Sequence, residues 1–308
     1  MTPAAAPALA NVDDVVLNFS PAGMMVLNAV LAIVMFAIAL DLSPSDFRRV
    51  ATAPRALLTG LFSQFVVLPV LTFLLVSVLT PRPSIALGLI LVAACPGGNI
   101  SNFITHRAGG NTALSVSMTA FATVAAIALT PLNIAFWGSL YAPTREILRS
   151  THIDPLRVAV TVGLMLVLPL CLGLVVNARR PSLSARLRQP LQWISMAIFI
   201  GFVLIALAAN WGFFLAYAGI VAGLVIAHNS LAFAGGNLTA RLLGLSPYDR
   251  RAVTIETGIQ NSGLGLVLIF GFFNGLGGMA VVAAFWGIWH AIAGLALAGW
   301  MRRTEAAR

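Results

Sequence analysis

Nine apolar stretches, each about 20 residues long, follow one another along this chain with short polar loops between them. That pattern constrains the fold more than any single motif. A stretch of about 20 residues, coiled as a helix, matches the roughly 30 Å of hydrocarbon in a bilayer. Hydrocarbon offers no partner for an unpaired backbone group, so each stretch must satisfy its own amides as a helix. The stretches read as 21–42, 56–79, 84–107, 113–140, 158–176, 191–211, 213–243, 252–273 and 279–301. The expected fold class is therefore an all-α polytopic membrane protein. Composition excludes the soluble alternative. Only 9% of residues are charged, 59% are hydrophobic, and the mean hydropathy is +0.96. A water-exposed surface could not be coated from so few charges.

All 18 basic residues are arginine. A net charge of +9 can signal nucleic acid. Here the arginines sit between apolar stretches, which is the pattern of the positive-inside rule, and no nucleic acid is expected. With Arg48, Arg49 and Arg55 in the cytoplasm, 14 of the 18 fall on that side; only Arg82, Arg145, Arg149 and Arg157 fall outside. The expected protein is a multi-pass inner (plasma) membrane protein with its N-terminus outside and its C-terminus inside. Residues 1–20 then read as an extracellular Ala/Pro-rich lead-in, 21–303 as the membrane domain and 304–308 as a cytoplasmic tail. Cys95 and Cys171 both lie in apolar stretches, with neither a disulfide framework nor metal-ligand spacing.

Two stretches are interrupted. The third carries Cys95-Pro96-Gly97-Gly98-Asn99-Ile100-Ser101-Asn102, and the eighth carries Glu256-Thr257-Gly258-Ile259-Gln260-Asn261-Ser262-Gly263. Glycine and proline break helices, and the polar groups beside them are expensive in lipid. The two lie five stretches apart and run in opposite directions. Stretches one and six, two and seven, and four and nine are opposed in the same way. This is the hydropathy signature of two inverted-topology repeats with a discontinuous helix in each, which points to a binding site near the midplane. The fifth stretch is left unpaired.

Glu256 is the one acidic residue placed within an interrupted stretch. An ionised acid at a helix centre costs about 2.5–3.5 kcal/mol. No arginine lies inside a stretch away from its last few residues, which leaves a proton or a bound cation as compensation; a protonated structural glutamate is the plainer reading. Ser101, Asn102, Ser115, Thr119, Gln64, Gln260 and Asn261 supply neutral polar groups nearby in the pattern. Ser115 and Thr119 share a helix face at i, i+4. One carboxylate among such oxygens suits a hard monovalent cation rather than a divalent or transition metal. His228 and His290 are each either a proton relay, a substrate contact or a satisfied buried histidine.

The stretch Cys95–Asn102 followed by Gly110-Asn111-Thr112-Ala113-Leu114-Ser115 and Thr119 resembles a helix signature of the bile acid:sodium symporter family. Glu256-Thr257-Gly258-Ile259-Gln260-Asn261-Ser262 resembles a second signature of the same family, and the likeness runs from Pro21 to the C-terminus. The resemblance implies two crossing discontinuous helices and a division into core and panel domains. The core would be 56–79, 84–107, 113–140, 213–243, 252–273 and 279–301; the panel would be 21–42, 158–176 and 191–211, in a nine-helix form. It implies two Na⁺ ions: one held by Ser101, Asn102, Ser115, Thr119 and Glu256, the other by Gln64, Glu256, Thr257, Ile259 and Gln260. It implies substrate contacts at Asn99, Asn261 and His290, although Asn99 and Ala291 stand where bacterial members often carry Thr and Asn. The implied activity is Na⁺-coupled import of a small organic anion by alternating access, with the lipid bilayer as surroundings and no obligate protein partner. The alternatives are proton coupling and an arsenite-type carrier, which Cys95 brings to mind. An intramembrane hydrolase pairing Ser101 with His106 or His290 lacks any nucleophile motif.

Overall fold

The computed structural model describes residues 12–13, 21–40, 54–151, 154–209 and 211–306. Asp41, Asp46, Arg48, Arg49, Arg308 and most of the lead-in lie outside the described residues. Among those described, the elements are helices: α1 (Pro21–Ala39), α2 (Pro54–Leu79), α3 (Pro83–Ala94), α4 (Ile100–Arg107), α5 (Thr112–Leu140), α6 (Ala142–Thr151), α7 (155–179), α8 (Pro181–Ala209), α9 (Trp211–Leu242), α10 (Pro247–Gly258), α11 (Ser262–Phe272) and α12 (Gly277–Ala306). Among the described residues, five helical stretches are long and apolar enough to cross a membrane, and 25–37, 83–94 and 262–272 are shorter apolar helices. The protein is an all-α polytopic membrane protein.

The third and eighth stretches are each two helices, α3 with α4 and α10 with α11. Their breaks meet. The Gly98 amide donates to the Ile259 carbonyl at 2.8 Å, and the Asn261 amide donates to the Pro96 carbonyl at 2.8 Å. Gly97 and Gln260 thus form a two-residue antiparallel bridge in the middle of a helical protein. Backbone groups that would be orphaned in each helix alone are satisfied by the other break. Glycine is required here. A Cβ at position 98 would run into the Gln260 carbonyl.

The remaining helix ends are answered by neighbours. Thr130 of α5 donates to the Ala94 carbonyl at the end of α3 (2.7 Å), and Asn229 of α9 donates to the Gly258 carbonyl at the end of α10 (2.7 Å). Asn261 caps α11 by accepting from the Leu264 amide at 3.0 Å. On α3, the carboxylate of Asp13 accepts from the Ser84 amide at 2.8 Å, an acid at a helix N-terminus.

Helix α2 widens to a π turn over Ser63–Val67, closed by the Leu68 amide on the Ser63 carbonyl. Pro69 follows directly. Its ring would press on the carbonyl four residues back in a regular helix, and the wider turn relieves this. The same device recurs in α7 at Gly163–Val167, before Pro169.

Three boundaries differ from the sequence expectation. Helix α6 was not expected, because it is short and amphipathic. Its Thr144 hydroxyl donates to Gly138 and Tyr141 carbonyls, and Ile147 and Leu148 turn to the core. Helix α8 begins at Pro181, well before 191, with Ser184 donating to the Leu40 carbonyl at 2.9 Å. Helix α10 begins at Pro247, with Ser246 accepting from the Asp249 amide as its cap. In α8 and α10, polar turns extend an apolar span that a hydropathy reading cuts short. In packing, α1 lies along residues 168–179 of α7 and along α8, whereas α3, α5, α9, α10 and α12 pack closely among themselves.

Asn229→Leu leaves the Gly258 carbonyl buried without its donor. It should lower unfolding stability by about 1–3 kcal/mol. Ser230→Ala, which removes only a hydroxyl bonded within its own helix, should change the thermal midpoint in detergent far less.

Candidate cation and substrate site

Glu256 sits on the last turn of α10 and is fully buried. Its Oε2 accepts from Ser101 of α4 at 2.7 Å and from Ser115 of α5 at 2.9 Å; its Oε1 accepts from Thr119 of α5 at 2.7 Å. Asn102 Oδ1 faces the same hydroxyls, 2.9 Å from Ser115 and 3.3 Å from Thr119. The five residues expected for the first cation position therefore form one network drawn from three helices. Hydrogens are short in it. Ser115 has one hydroxyl hydrogen for two acceptors at 2.9 Å, and Thr119 has one for Glu256, Asn102 and the Ser115 carbonyl at 3.1 Å. A buried cluster with more acceptors than hydrogens is completed by a bound cation or by one further proton.

The second expected set lies beside the same carboxylate. Gln64 projects from the π turn of α2 beside the Glu256 carboxylate, and its buried Oε1 has no hydrogen-bond partner among the described residues. Gln260 donates to the Thr257 carbonyl at 2.9 Å, leaving its own buried Oε1 without a partner. The Ile259 carbonyl accepts from Gly98 and keeps one lone pair. Gly97 borders this space. A Cβ there would overlap the Glu256 carboxylate and touch the Gln64 amide. Unpartnered buried oxygens around a cradle that only glycine leaves open fit a small cation.

The expected substrate contacts are less closely joined. Asn99 and Asn261 stand at the N-termini of α4 and α11, where helix dipoles place partial positive charge. Asn99 Oδ1 is buried without a partner, whereas Asn261 Oδ1 is engaged as a cap. His290 is on α12 with Nδ1 unpartnered, and no hydrogen bond links it to either asparagine among the described residues.

His228 proves to be fully engaged. The Trp286 indole can only donate, and it lies 2.9 Å from His228 Nδ1, which must then accept. The hydrogen is therefore on Nε2, which meets Thr72 Oγ1 at 2.6 Å, while Thr72 donates to the Leu68 carbonyl at 2.7 Å. The chain runs in one direction from Trp286 to the π turn that carries Gln64. Trp286 also packs edge-on against His290, with ring centroids 5.6 Å apart. Ser101 donates to Glu256 rather than to a histidine, which removes the nucleophile–base pairing. Cys95 is buried and caps α3.

Sequence reasoning missed Ser63, Asn229, Thr130 and Thr105. Thr257 donates to Ser63 at 2.9 Å, and Thr105 to Ser115 at 3.3 Å. A hydroxyl inside an apolar helix is common, and nothing in its spacing says which orphan it answers.

The sequence profile described as the Sodium Bile acid symporter family matches residues 28–216. The chain belongs to the sodium bile acid symporter family. It is 31% identical to the uncharacterized sodium-dependent transporter YocS of Bacillus subtilis, over 89% of this chain and 83% of that one. It is 34% identical to the probable chloroplastic sodium/metabolite cotransporter BASS1 of Arabidopsis thaliana, over 89% of this chain and 66% of that one. The human ileal sodium/bile acid cotransporter is 31% identical over 78% of this chain and 67% of its own. These symporter relatives are transporters, and so is this chain; it is not an enzyme. The profile match ends before Glu256. An alignment over 89% of the chain takes in Glu256 wherever it begins.

His228→Phe would strip the Trp286 indole of its acceptor. This should cost about 1–3 kcal/mol of stability by thermal or denaturant unfolding, and Trp286→Phe should cost less on that background than it does alone.

Proposed function

We propose that this protein imports a small organic anion by coupling its movement to Na⁺. The observation that carries the reading is the Glu256 cluster. It is buried, holds one carboxylate, and offers more acceptors than hydrogens together with unpartnered amide oxygens. Ser101, Asn102, Ser115, Thr119 and Glu256 would hold one ion. Gln64, Glu256, Gln260 and the carbonyls of Thr257 and Ile259 would hold a second. The sodium-dependent relatives favour Na⁺ over a proton.

Na⁺ binding would fix the two breaks against each other. The α4 and α11 N-termini would then face an anion near Asn99, Asn261 and His290. Two Na⁺ with a monoanion carry one net charge inward, worth about 2.3 kcal/mol per 100 mV of membrane potential. The membrane is taken as the plasma membrane, with the N-terminus outside by the arginine distribution. A core of α2–α5 and α9–α12 would rock against a panel of α1, α7 and α8, as two inverted repeats. The packing of α1 on α7 and α8 supports this division.

In proteoliposomes, uptake of a bile-acid-like anion should require an inward Na⁺ gradient and stop when K⁺ replaces Na⁺. Glu256→Ala should abolish it. With Na⁺ at about 100 times its dissociation constant, the wild type should gain about 2.7 kcal/mol of stability for each ion bound; Glu256→Ala should gain none. Sodium-independent uptake, or a fully active variant, would refute the reading. A pH gradient substituting for Na⁺ would favour proton coupling.

A further inference from the structure

A cavity of about 320 Å³ lies at the end of the molecule that carries Arg145 and Arg149, away from Glu256. Its walls are apolar and come from three regions: Ile134 of α5, Val158 of α7, and Leu268 and Phe272 of α11. Arg145 and Arg149, one turn apart on α6, complete the lining. Arg145 is oriented by its Nε, which donates to the Ser139 carbonyl at 2.7 Å and leaves its terminal nitrogens available. Arg149 makes no hydrogen bond or ion pair among the described residues. The acidic residues near in sequence do not compensate them. Glu146 forms no ion pair there, and Asp154 accepts from the Leu156 amide at 2.9 Å; neither lines the cavity.

We propose that this cavity is a second binding site, for an amphipathic organic monoanion whose apolar body enters the slot and whose acidic head meets Arg145 and Arg149. The combination decides the ligand class. An apolar pocket alone would take a neutral body, and two guanidinium groups alone would take inorganic phosphate. Together they need both parts in one molecule. The volume is at the low end for ligand pockets, which suits one compact body rather than the two acyl chains of a phospholipid. The occupant would touch α7 and the outer half of the broken helix pair at once. As an antechamber to transport the site rests on the reading above; as a binding site it does not, because none of its residues belongs to the Glu256 cluster.

The test is occupancy read directly. Ser139→Cys, at the exposed rim, is labelled with a small environment-sensitive fluorophore on a Cys171→Ser background, in phosphatidylcholine nanodiscs. Titration with cholate should give a saturable change that persists without Na⁺ and in Glu256→Ala. Arg149→Gln, and separately Arg145→Gln, should weaken it about tenfold. Methyl cholate, the uncharged ester, should bind at least as weakly as cholate does to those variants. Equal titration by cholate and its ester would overturn the proposal, as would insensitivity to both arginine changes. A signal saturated by added phosphatidylglycerol without cholate would overturn it in favour of a lipid site. Because Na⁺ plays no part, failure here leaves the sodium result standing, and the reverse.

Discussion

The structure depends on one carboxylate kept away from water. An ionised glutamate inside a membrane protein is tolerated only where its surroundings replace the lost hydration. Here three hydroxyls from α4 and α5 reach both oxygens of Glu256. They can do so because two helices are broken at the same depth and hydrogen-bonded to each other through Gly98, Ile259, Pro96 and Asn261. The break brings α4 to α10, and α5 carries the remaining donors. The carboxylate and the crossing are therefore one device.

The cost of that device is spread outward. Breaking two helices exposes carbonyls at Ala94 and Gly258, and single polar side chains on α5 and α9 answer them. Placing Gln64 toward the carboxylate requires a widened turn in α2, which Pro69 favours and Thr72 braces from below. That brace continues through His228 to Trp286 and the ring of His290. The turn that carries Gln64 is thus linked to Trp286 by hydrogen bonds, and Trp286 to His290 by ring packing alone.

Much of this was legible in the sequence because lipid makes polarity conspicuous. A glutamate, a Pro-Gly-Gly and a pair of amides inside apolar runs stand out against a background that cannot afford them. The pairing of two interrupted spans followed from the arginine pattern and the count. What was not legible depended on tertiary contact. Thr130 and Asn229 look like any buried polar residue until the breaks they serve are packed. His228 and Trp286 are 58 residues apart and belong to no motif. Helix α6 fails every test for a span because it is short and carries arginines, and those arginines become meaningful only beside the apolar wall that α7 and α11 bring to them.

The central claim is that Glu256 and its hydroxyls bind Na⁺. It is tested most directly by equilibrium binding of radioactive sodium to the purified protein, without substrate or transport. Saturable binding should be seen for the wild type, and it should be lost in Glu256→Gln and greatly weakened in Thr119→Val. Asn229→Leu, which alters the scaffold but not the cluster, should retain it when folded. Sodium binding that is unchanged in Glu256→Gln would contradict the account.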